Sequence, residues 1–302
     1  MQSLNYSSIR KLNIFLTGVT GFIGRNIFEQ LGKKYNFYAP THKKLDLTDT
    51  KKVESFFKTH NIDVVIHTAT SGGKRTDVDS YEIAELNLRM FFNIARCEKY
   101  FKKMIFLGSG AEYDNTRSLI RVSEKDFDKV VPKSQFFFNK YVCSKYIEKS
   151  DKIVNLRLFG IFGKYEDYSI RFISNAICRN ILGKPITINQ NVYFDYLYID
   201  DFVGILEYFI ENSVHYRFYN VGTGKKIDLY TIAKIVNEKA DKKSKITIKK
   251  KGLNNEYTCN NSRLKKEIKD IKFTDFKLSV DLLYTWYKKI KNELDVNLVF
   301  KD

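Results

Sequence analysis

The chain has 302 residues, of which 43% are hydrophobic, and a formal net charge of +17. This is enough for a large core, and no apolar run reaches the roughly eighteen residues of a membrane span. Residues 1–12 lack the apolar stretch of a secretory signal, so we expect a cytoplasmic protein. The scattered lysines favour small anionic ligands over nucleic acid or a membrane. The four widely spaced cysteines predict neither a metal site nor disulfides.

Short apolar runs alternate with helical patterns in the first half, which predicts βαβ units and a parallel sheet buried on both faces. Strands are predicted at 13–17, 36–39, 64–67, 104–107 and 153–158. Apolar residues three and four apart predict helices at 24–31, 51–60, 79–100 and 141–149. Beyond about residue 165 the alternation loosens, with helices at 168–182, 201–211 and 229–239. The fold class is therefore α/β, with a doubly wound sheet in 1–165 and a smaller lobe in 166–302.

A glycine-rich turn, Gly18-Val19-Thr20-Gly21-Phe22-Ile23-Gly24, directly follows the first predicted strand and runs into a helix. Glycines allow a tight turn in which the backbone approaches a pyrophosphate, and a helix N-terminus offers free N–H groups. The strand before the turn and the helix after it supply the required context. We predict that the dinucleotide contacts in this turn come from Gly18, Thr20, Gly21, Phe22, Ile23 and Gly24.

The second strand ends without the acidic residue that usually holds the ribose 2′-hydroxyl of NAD. Its place is taken by His42, Lys43 and Lys44, which tolerate a 2′-phosphate, so NADP(H) is favoured and NAD(H) remains an alternative. Asp46 stands where such enzymes often bind the adenine edge, and a turn aspartate is an equal alternative. Further cofactor contacts are predicted at Leu47, Thr68, Ala69 and Thr70.

Tyr141 and Lys145 stand four residues apart in a predicted helix and so share one face. A neighbouring ammonium favours the phenolate, so this pair can exchange a proton with a hydroxyl or a carbonyl. Ser109, at the end of the strand 104–107, can hydrogen-bond the reacting oxygen. We predict that Ser109, Tyr141 and Lys145 are catalytic and that Tyr141 and Lys145 also contact the cofactor.

The glycine spacing and the Ser-Tyr-Lys order resemble those of the extended short-chain dehydrogenase/reductases. Further segments resemble the NAD-dependent epimerase/dehydratase family, including its GDP-fucose synthase-like members: 41–49, 157–163, 183–186, 194–201, 219–224 and 261–266. The resemblance implies a Rossmann-type sheet with a C-terminal substrate-binding lobe, a nicotinamide cofactor, a nucleotide-diphosphate sugar substrate and a homodimer. It also implies a cofactor contact from Asn87.

Substrate contacts follow from the same resemblance. Phe194 stands where family members often have an arginine that contacts the sugar nucleotide's phosphates. Arg171 and Arg263 are therefore predicted to replace that arginine, with surface charge as the alternative for both. Ser109 and Ala111 complete the predicted substrate-binding residues.

The residues after Ser109 separate the reactions of the family. Its dehydratases resemble one another in an Asp-Glu pair there, which this chain lacks. GDP-fucose synthases place a cysteine at the Ala111 position and a histidine near Ile170 or Arg171 for 3,5-epimerisation, and both are absent. The resemblance implies NADPH-dependent reduction of a nucleotide-linked 4-keto-deoxysugar at C4, in deoxysugar or surface-glycan biosynthesis. The alternatives are an NAD-dependent nucleotide-sugar 4-epimerase and a non-catalytic nucleotide-binding Rossmann scaffold.

Overall fold

The computed structural model describes residues 10–72 and 79–299, so most of the predicted polar start lies outside the described residues. Within them the strands are β1 (Asn13–Thr17), β2 (Asn36–Tyr38), β3 (Val64–His67), β4 (Lys103–Ser109), β5 (Leu119–Val122), β6 (Ile153–Leu158), β7 (Gly160–Phe162), β8 (Ile186–Asn191), β9 (Tyr193–Phe194), β10 (Tyr196–Tyr198), β11 (Phe218–Val221), β12 (Ile227–Asp228), β13 (Ile246–Leu253) and β14 (Tyr257–Cys259). The main sheet has the order β11-β6-β4-β3-β1-β2, and all its strand pairs are parallel. The predicted α/β fold with a doubly wound parallel sheet is confirmed.

Helices cover both faces of this sheet. They are α1 (Phe22–Leu31), α2 (Thr50–Thr59), α3 (Tyr81–Ala95), α4 (Gln135–Ile147), α5 (Phe172–Ile181), α6 (Ile199–Glu211), α7 (Leu229–Lys239), α8 (Ser262–Glu267), α9 (Phe276–Lys289) and α10 (Val296–Val299). Successive residues of a strand point to opposite faces. Accordingly Ile14 and Leu16 of β1 enter the core shared with α1 and the lobe, whereas Phe15 enters the core beneath α2, α3 and α4. The two cores fix the sheet between two helical layers.

Helix α4 differs most from its prediction, because it begins at Gln135 and not at 141. The carboxylate of Asp79 accepts hydrogen bonds from the N–H groups of Gln135 and Phe136, both at 3.0 Å, and from the Ser134 hydroxyl at 3.1 Å. These bonds satisfy N–H groups that a helix end leaves unpaired. An aromatic run such as 136–138 has only middling helix propensity. A cap from a residue far away in sequence therefore starts this helix, and local periodicity could not reveal it.

The lobe and the main sheet exchange strands. β11, from the second half of the chain, pairs with β6 at one edge of the main sheet. β5, from the first half, pairs with β14 in a four-stranded sheet of order β12-β9-β14-β5. The boundary at residue 165 stays a prediction.

No helix in residues 10–72 and 79–299 is long and apolar enough to cross a membrane.

A fully buried ion pair connects β4, α4 and β6. The carboxylate of Glu112 accepts from Arg157 Nε at 2.7 Å, from Ser144 Oγ at 2.6 Å and from the Ser109 N–H at 2.9 Å. Both charged side chains are 0% exposed. The guanidinium of Arg157 also lies 4.1 Å from the centroid of the Phe127 ring, a cation–π contact. Because removing one partner leaves the other charge buried and unpaired, this pair should tolerate little change.

We expect Glu112→Gln to lower the free energy of unfolding by about 3–5 kcal/mol, as for other buried pairs that lose one charge. Urea denaturation followed by circular dichroism measures this change. Glu85→Gln is the matched control, since the exposed pair of Glu85 with Arg89 should contribute little. Equal stability of the two variants would contradict the role assigned to the buried pair.

Candidate active site

The glycine turn between β1 and α1 has the geometry of a dinucleotide cradle. Gly18 has a φ of +69°, and a Cβ there would lie 2.6 Å from Thr68 Oγ1. A Cβ on Gly24 would lie 2.2 Å from the carbonyl oxygen of Gly18. Gly21 is the N-cap residue of α1 and has no side chain to cap it, so the first N–H groups of the helix can bind an anion. The turn therefore fits the pyrophosphate of a dinucleotide.

The other predicted residues of the turn differ in exposure. Thr20 is exposed, whereas Phe22 and Ile23 are half-buried and pack against the core. Their side chains therefore stabilise α1, while their backbone N–H groups belong to its first turn.

The loop after β3 is tied to the end of β1 by hydrogen bonds. Thr17 Oγ1 accepts from the N–H groups of Thr68 and Ala69, both at 3.1 Å. Thr68 Oγ1 donates to the Thr17 carbonyl at 2.6 Å. The ring of His67 lies 2.9 Å from Thr17 Oγ1, and burial, reinforced by the charge of Lys140, lowers the pKa of His67 to about 3. His67 is therefore neutral at physiological pH and keeps the loop beside the glycine turn.

Asn87 of α3 holds the next part of this loop. Its Oδ1 accepts from the Ser71 N–H at 2.8 Å and from Thr70 Oγ1 at 3.1 Å, and its Nδ2 donates to the Ser71 carbonyl at 2.9 Å. The side chain of Asn87 thus positions this loop, and its cofactor contact stays a prediction.

The segment after β2 contains a local turn and one exposed imidazole. Asp46 accepts from the Thr48 N–H at 2.9 Å and from Thr48 Oγ1 at 2.7 Å, and these hydrogen bonds lower the pKa of Asp46. Leu47 is buried, and its carbonyl accepts from Asn93 Nδ2 at 2.9 Å. The side chain of His42 is 80% exposed and lies 3.9 Å from Asp46. The turn interpretation of Asp46 agrees with this geometry, and His42 is free of the core.

Ser109 is the last residue of β4, at the carboxyl edge of the sheet. Its Oγ accepts from the Ala111 N–H at 3.1 Å and lies 3.4 Å from the hydroxyl of Tyr257, a residue of β14. Ala111, two residues further on, is buried. Ser109 therefore stands where the sequence predicts, and Tyr257 is a neighbour that the sequence reasoning did not identify.

Tyr141 and Lys145 do not meet Ser109. The Tyr141 hydroxyl donates to Asp128, and this hydrogen bond raises the pKa of Tyr141. The ammonium of Lys145 lies 2.9 Å from Asp128 and 2.7 Å from Glu148. The predicted pair therefore occupies the half-exposed side of α4 that faces Asp128. Both groups of the predicted pair are thus bonded to carboxylates in this structure, and their catalytic and cofactor-binding roles stay a prediction.

Lys140 is the lysine of α4 that reaches the sheet. Its Nζ donates to the carbonyl of Leu107 in β4 at 2.8 Å and lies 5.3 Å from the centroid of the Phe106 ring. Burial lowers the pKa of this amine. Phe136 precedes Lys140 by four residues and so lies one turn away on the same helix face. The predicted pair has its tyrosine four residues before its lysine. Counted back from Lys140, that position holds Phe136.

The buried face of α4 agrees with this position of Lys140. The residues of α4 that are buried are Asn139, Cys143, Ser144 and Ile147. Lys140 shares a face with Cys143 and Ser144, whereas Tyr141 and Lys145 share a face with Glu148. A prediction that started the helix at 141 left out the first turn and with it the pair of Phe136 and Lys140.

The two predicted arginines differ. Arg263 Nη1 donates to the carbonyl of Phe218 at 3.0 Å, and its guanidinium lies 4.6 Å from the centroid of the Tyr216 ring. Arg263 is thus bonded to the edge of β11, and its role as a phosphate ligand stays a prediction. Arg171 is exposed at the N-cap of α5 and stays a prediction as a phosphate ligand.

The family of the chain follows from comparison with known proteins. The NAD dependent epimerase/dehydratase family matches residues 14–222. ADP-L-glycero-D-manno-heptose-6-epimerase of Brachyspira hyodysenteriae is 25% identical over 264 residues, which is 74% of this chain and 80% of that protein. GDP-L-colitose synthase of Yersinia pseudotuberculosis is 24% identical over 278 residues, 81% of this chain and 90% of that protein.

A solved structure has the same fold. The Bordetella bronchiseptica enzyme WbmG in complex with NAD and UDP superimposes with a TM-score of 0.82 at 18% identity, covering 95% of this chain and 97% of that chain. Because the family match spans more than half of the sequence and the glycine turn fits a dinucleotide, the assignment rests on both sequence and geometry. The chain belongs to the NAD dependent epimerase/dehydratase family, the nicotinamide-dependent epimerases, dehydratases and reductases of nucleotide sugars.

Proposed function

We propose that this chain uses NADPH to reduce a nucleotide-linked 4-keto-deoxysugar at C4. The observation that carries the proposal is that the glycine turn follows β1 and Ser109 ends β4 at the same edge of one parallel sheet, while Lys140 is bonded to Leu107 of β4. In open α/β sheets, ligands bind at this edge. When bound there, the dinucleotide supplies the hydride.

The side chains at the edge have complementary tasks. The hydroxyl of Ser109 donates to the ketone oxygen, where negative charge develops during reduction. The ammonium of Lys140 has three donors, of which one is used by the carbonyl of Leu107, so two remain for the ribose hydroxyls. The exposed ring of His42, followed by two lysines, supports NADPH over NADH.

The methyl side chain of Ala111 limits the reaction to one carbon. Moving a stereocentre beside a ketone requires a base on one face and an acid on the other, and a methyl group supplies neither.

The NAD-dependent 4-epimerase remains the alternative with the same residues, and recovery of tightly bound NAD from the purified protein would favour it. Phe136 favours the non-catalytic nucleotide-binding alternative, because a phenyl ring cannot transfer a proton.

Purified protein assayed for NADPH oxidation against UDP-, GDP-, CDP- and dTDP-linked 4-keto sugars separates these functions. A reductase consumes NADPH with at least one of the sugars and prefers it to NADH. A non-catalytic protein binds NADPH, as seen by nucleotide fluorescence, and consumes none.

Lys140→Met should raise the Kd for NADPH at least about tenfold, because hydrogen bonds to a charged group contribute roughly 1.5–3 kcal/mol. Lys145→Met is the matched control and should leave this Kd unchanged, since Lys145 bonds Asp128 and Glu148. Tyr141→Phe should keep turnover within about twofold of the wild type. Fluorescence titration and steady-state kinetics measure these effects. Loss of turnover in Tyr141→Phe would restore Tyr141 as the proton donor.

Isotope labelling tests the single-carbon reaction. With NADPH in deuterated water, we expect no carbon-bound deuterium at C3 or C5 of the sugar beyond an enzyme-free control, because Ala111 can neither remove nor donate a proton. Deuteride from labelled NADPH should appear at C4. The readout is the NMR spectrum of the product. Enzyme-dependent solvent deuterium at C3 or C5 would mean that another residue acts as a base.

The homodimer implied by the family resemblance is part of this proposal. Apolar side chains of α3 and α4 remain exposed, Tyr81 at 77%, Leu86 at 39% and Tyr146 at 38%. Burial of such a surface stabilises an association. Sedimentation should detect dimers at micromolar concentration, and Leu86→Glu should shift them toward monomer. A wild-type protein that is entirely monomeric would contradict this prediction.

A further inference from the structure

The site at the carboxyl edge lacks a phenol on α4 beside Lys140. Phe136 stands one turn before Lys140, and the hydroxyl of Tyr141 is bonded to Asp128. Ser109 alone is a weak source of a proton, because its hydroxyl must itself be resupplied. A second hydroxyl lies within reach, since Tyr257 Oη is 3.4 Å from Ser109 Oγ.

Backbone pairing on both sides holds Tyr257 in this place. Its strand β14 lies between β9 and β5, and Tyr257 is paired with Phe194 on one side and with Leu119 on the other. Its carbonyl accepts from the Asp195 N–H at 3.1 Å. The Tyr257 ring packs against the rings of Phe159 and Phe194, with centroids 4.9 and 5.8 Å away. The ring is therefore fixed with its hydroxyl toward Ser109.

Gly110, the residue after Ser109, leaves room for the Tyr257 hydroxyl to approach Ser109. A Cβ on Gly110 would lie 2.7 Å from the hydroxyl of Tyr257 and 2.5 Å from the ring of Phe159. A larger residue at 110 would force the Phe159 ring or the Tyr257 hydroxyl to shift. Glycine at this position thus serves the contact between Tyr257 and Ser109.

Burial keeps the hydroxyl of Tyr257 protonated. Burial raises the pKa of Tyr257, and Cys259 and Glu112 act in the same direction. The hydrogen bond to Ser109 and the positive charge of Arg171 lower this pKa, but the net shift is upward. At neutral pH the group therefore carries the proton that a reduction consumes, and it gives that proton up most readily to a strong base such as an alkoxide.

We propose that Tyr257 supplies the proton of the reduction through Ser109, in place of the phenol that Phe136 lacks. This inference rests on the proposed function. Hydride adds to C4, and the π pair of the C=O bond moves onto oxygen. That oxygen takes the Ser109 proton as Ser109 takes the Tyr257 proton, and Tyr257 recovers a proton from water. The net change is addition of one hydride and one proton, so atoms and charge balance.

The decisive variants are Tyr257→Phe, Phe136→Tyr and the double variant with both changes. Tyr257→Phe should lower kcat at least about 100-fold, since a positioned proton donor contributes about 10²–10⁴-fold. Its KM and its Kd for NADPH should stay within about threefold of wild type, because the ring remains packed on Phe159. The double variant should recover at least about tenfold of the lost kcat, because a phenol is restored one turn before Lys140.

Tyr193→Phe is the matched control. It removes a phenol from the same four-stranded sheet, at a ring that contacts the ammonium of Lys226 at 4.6 Å, and should leave kcat unchanged. Thermal unfolding of each variant separates loss of function from loss of fold. A purely structural role of Tyr257 would not respond to Phe136→Tyr, so the recovery of kcat identifies proton transfer.

The outcomes distinguish the two proposals. If the wild type reduces a 4-keto sugar and Tyr257→Phe keeps more than about a third of kcat, the relay is wrong and the reductase function stands. Failure of the double variant to recover kcat also overturns the relay. If the wild type binds NADPH but reduces none of the sugars, the proposed function fails and the relay fails with it. Turnover that appears only in Phe136→Tyr would then identify the missing phenol as the cause.

Discussion

The buried carboxylate of Glu112 is the constraint from which the geometry of the site follows. It joins the end of β4, through the N–H of Ser109, to the inner face of α4, through Ser144 Oγ, and to β6, through Arg157. A charge that is fully buried must keep all these partners. Because Ser144 and Lys140 share one helix face, the bond to Ser144 also decides that Lys140 is the lysine that reaches the sheet. One charged group thus fixes both the end of β4 at Ser109 and the helix face that carries Lys140.

Much of the fold could be predicted from the sequence because its signals are local. The bounds of β1, β3 and β6 agree with the predicted strands, since each is a short run made mostly of apolar residues. The glycine turn was also readable, because a positive φ at Gly18 and the close approach at Gly24 both require glycine. Where one residue type satisfies a backbone requirement, the sequence alone indicates the site.

The orientation of α4 could not be predicted in the same way. Tyr141 and Lys145 are four residues apart, and so are Phe136 and Lys140, so spacing alone does not distinguish the pairs. The helix carries aromatic residues on several faces, which hides its buried side. Its start depends on Asp79, and its orientation on Glu112, and both contacts join segments that are distant in sequence. Tertiary contacts of this kind override local propensity.

On the proposed relay, the lobe contributes a chemical group to the reaction. If Tyr257 provides the proton, the hydroxyl that donates it stands on β14, while the serine that passes it on stands on β4 of the main sheet. The contact depends on how the lobe packs at Gly110 and Phe159, where only glycine leaves room for the phenol. Small displacements of the lobe would change the 3.4 Å separation of the two hydroxyls and with it the rate of proton transfer. Substitutions in this lobe interface should therefore act on kcat, whereas substitutions at the glycine turn act on the affinity for the dinucleotide.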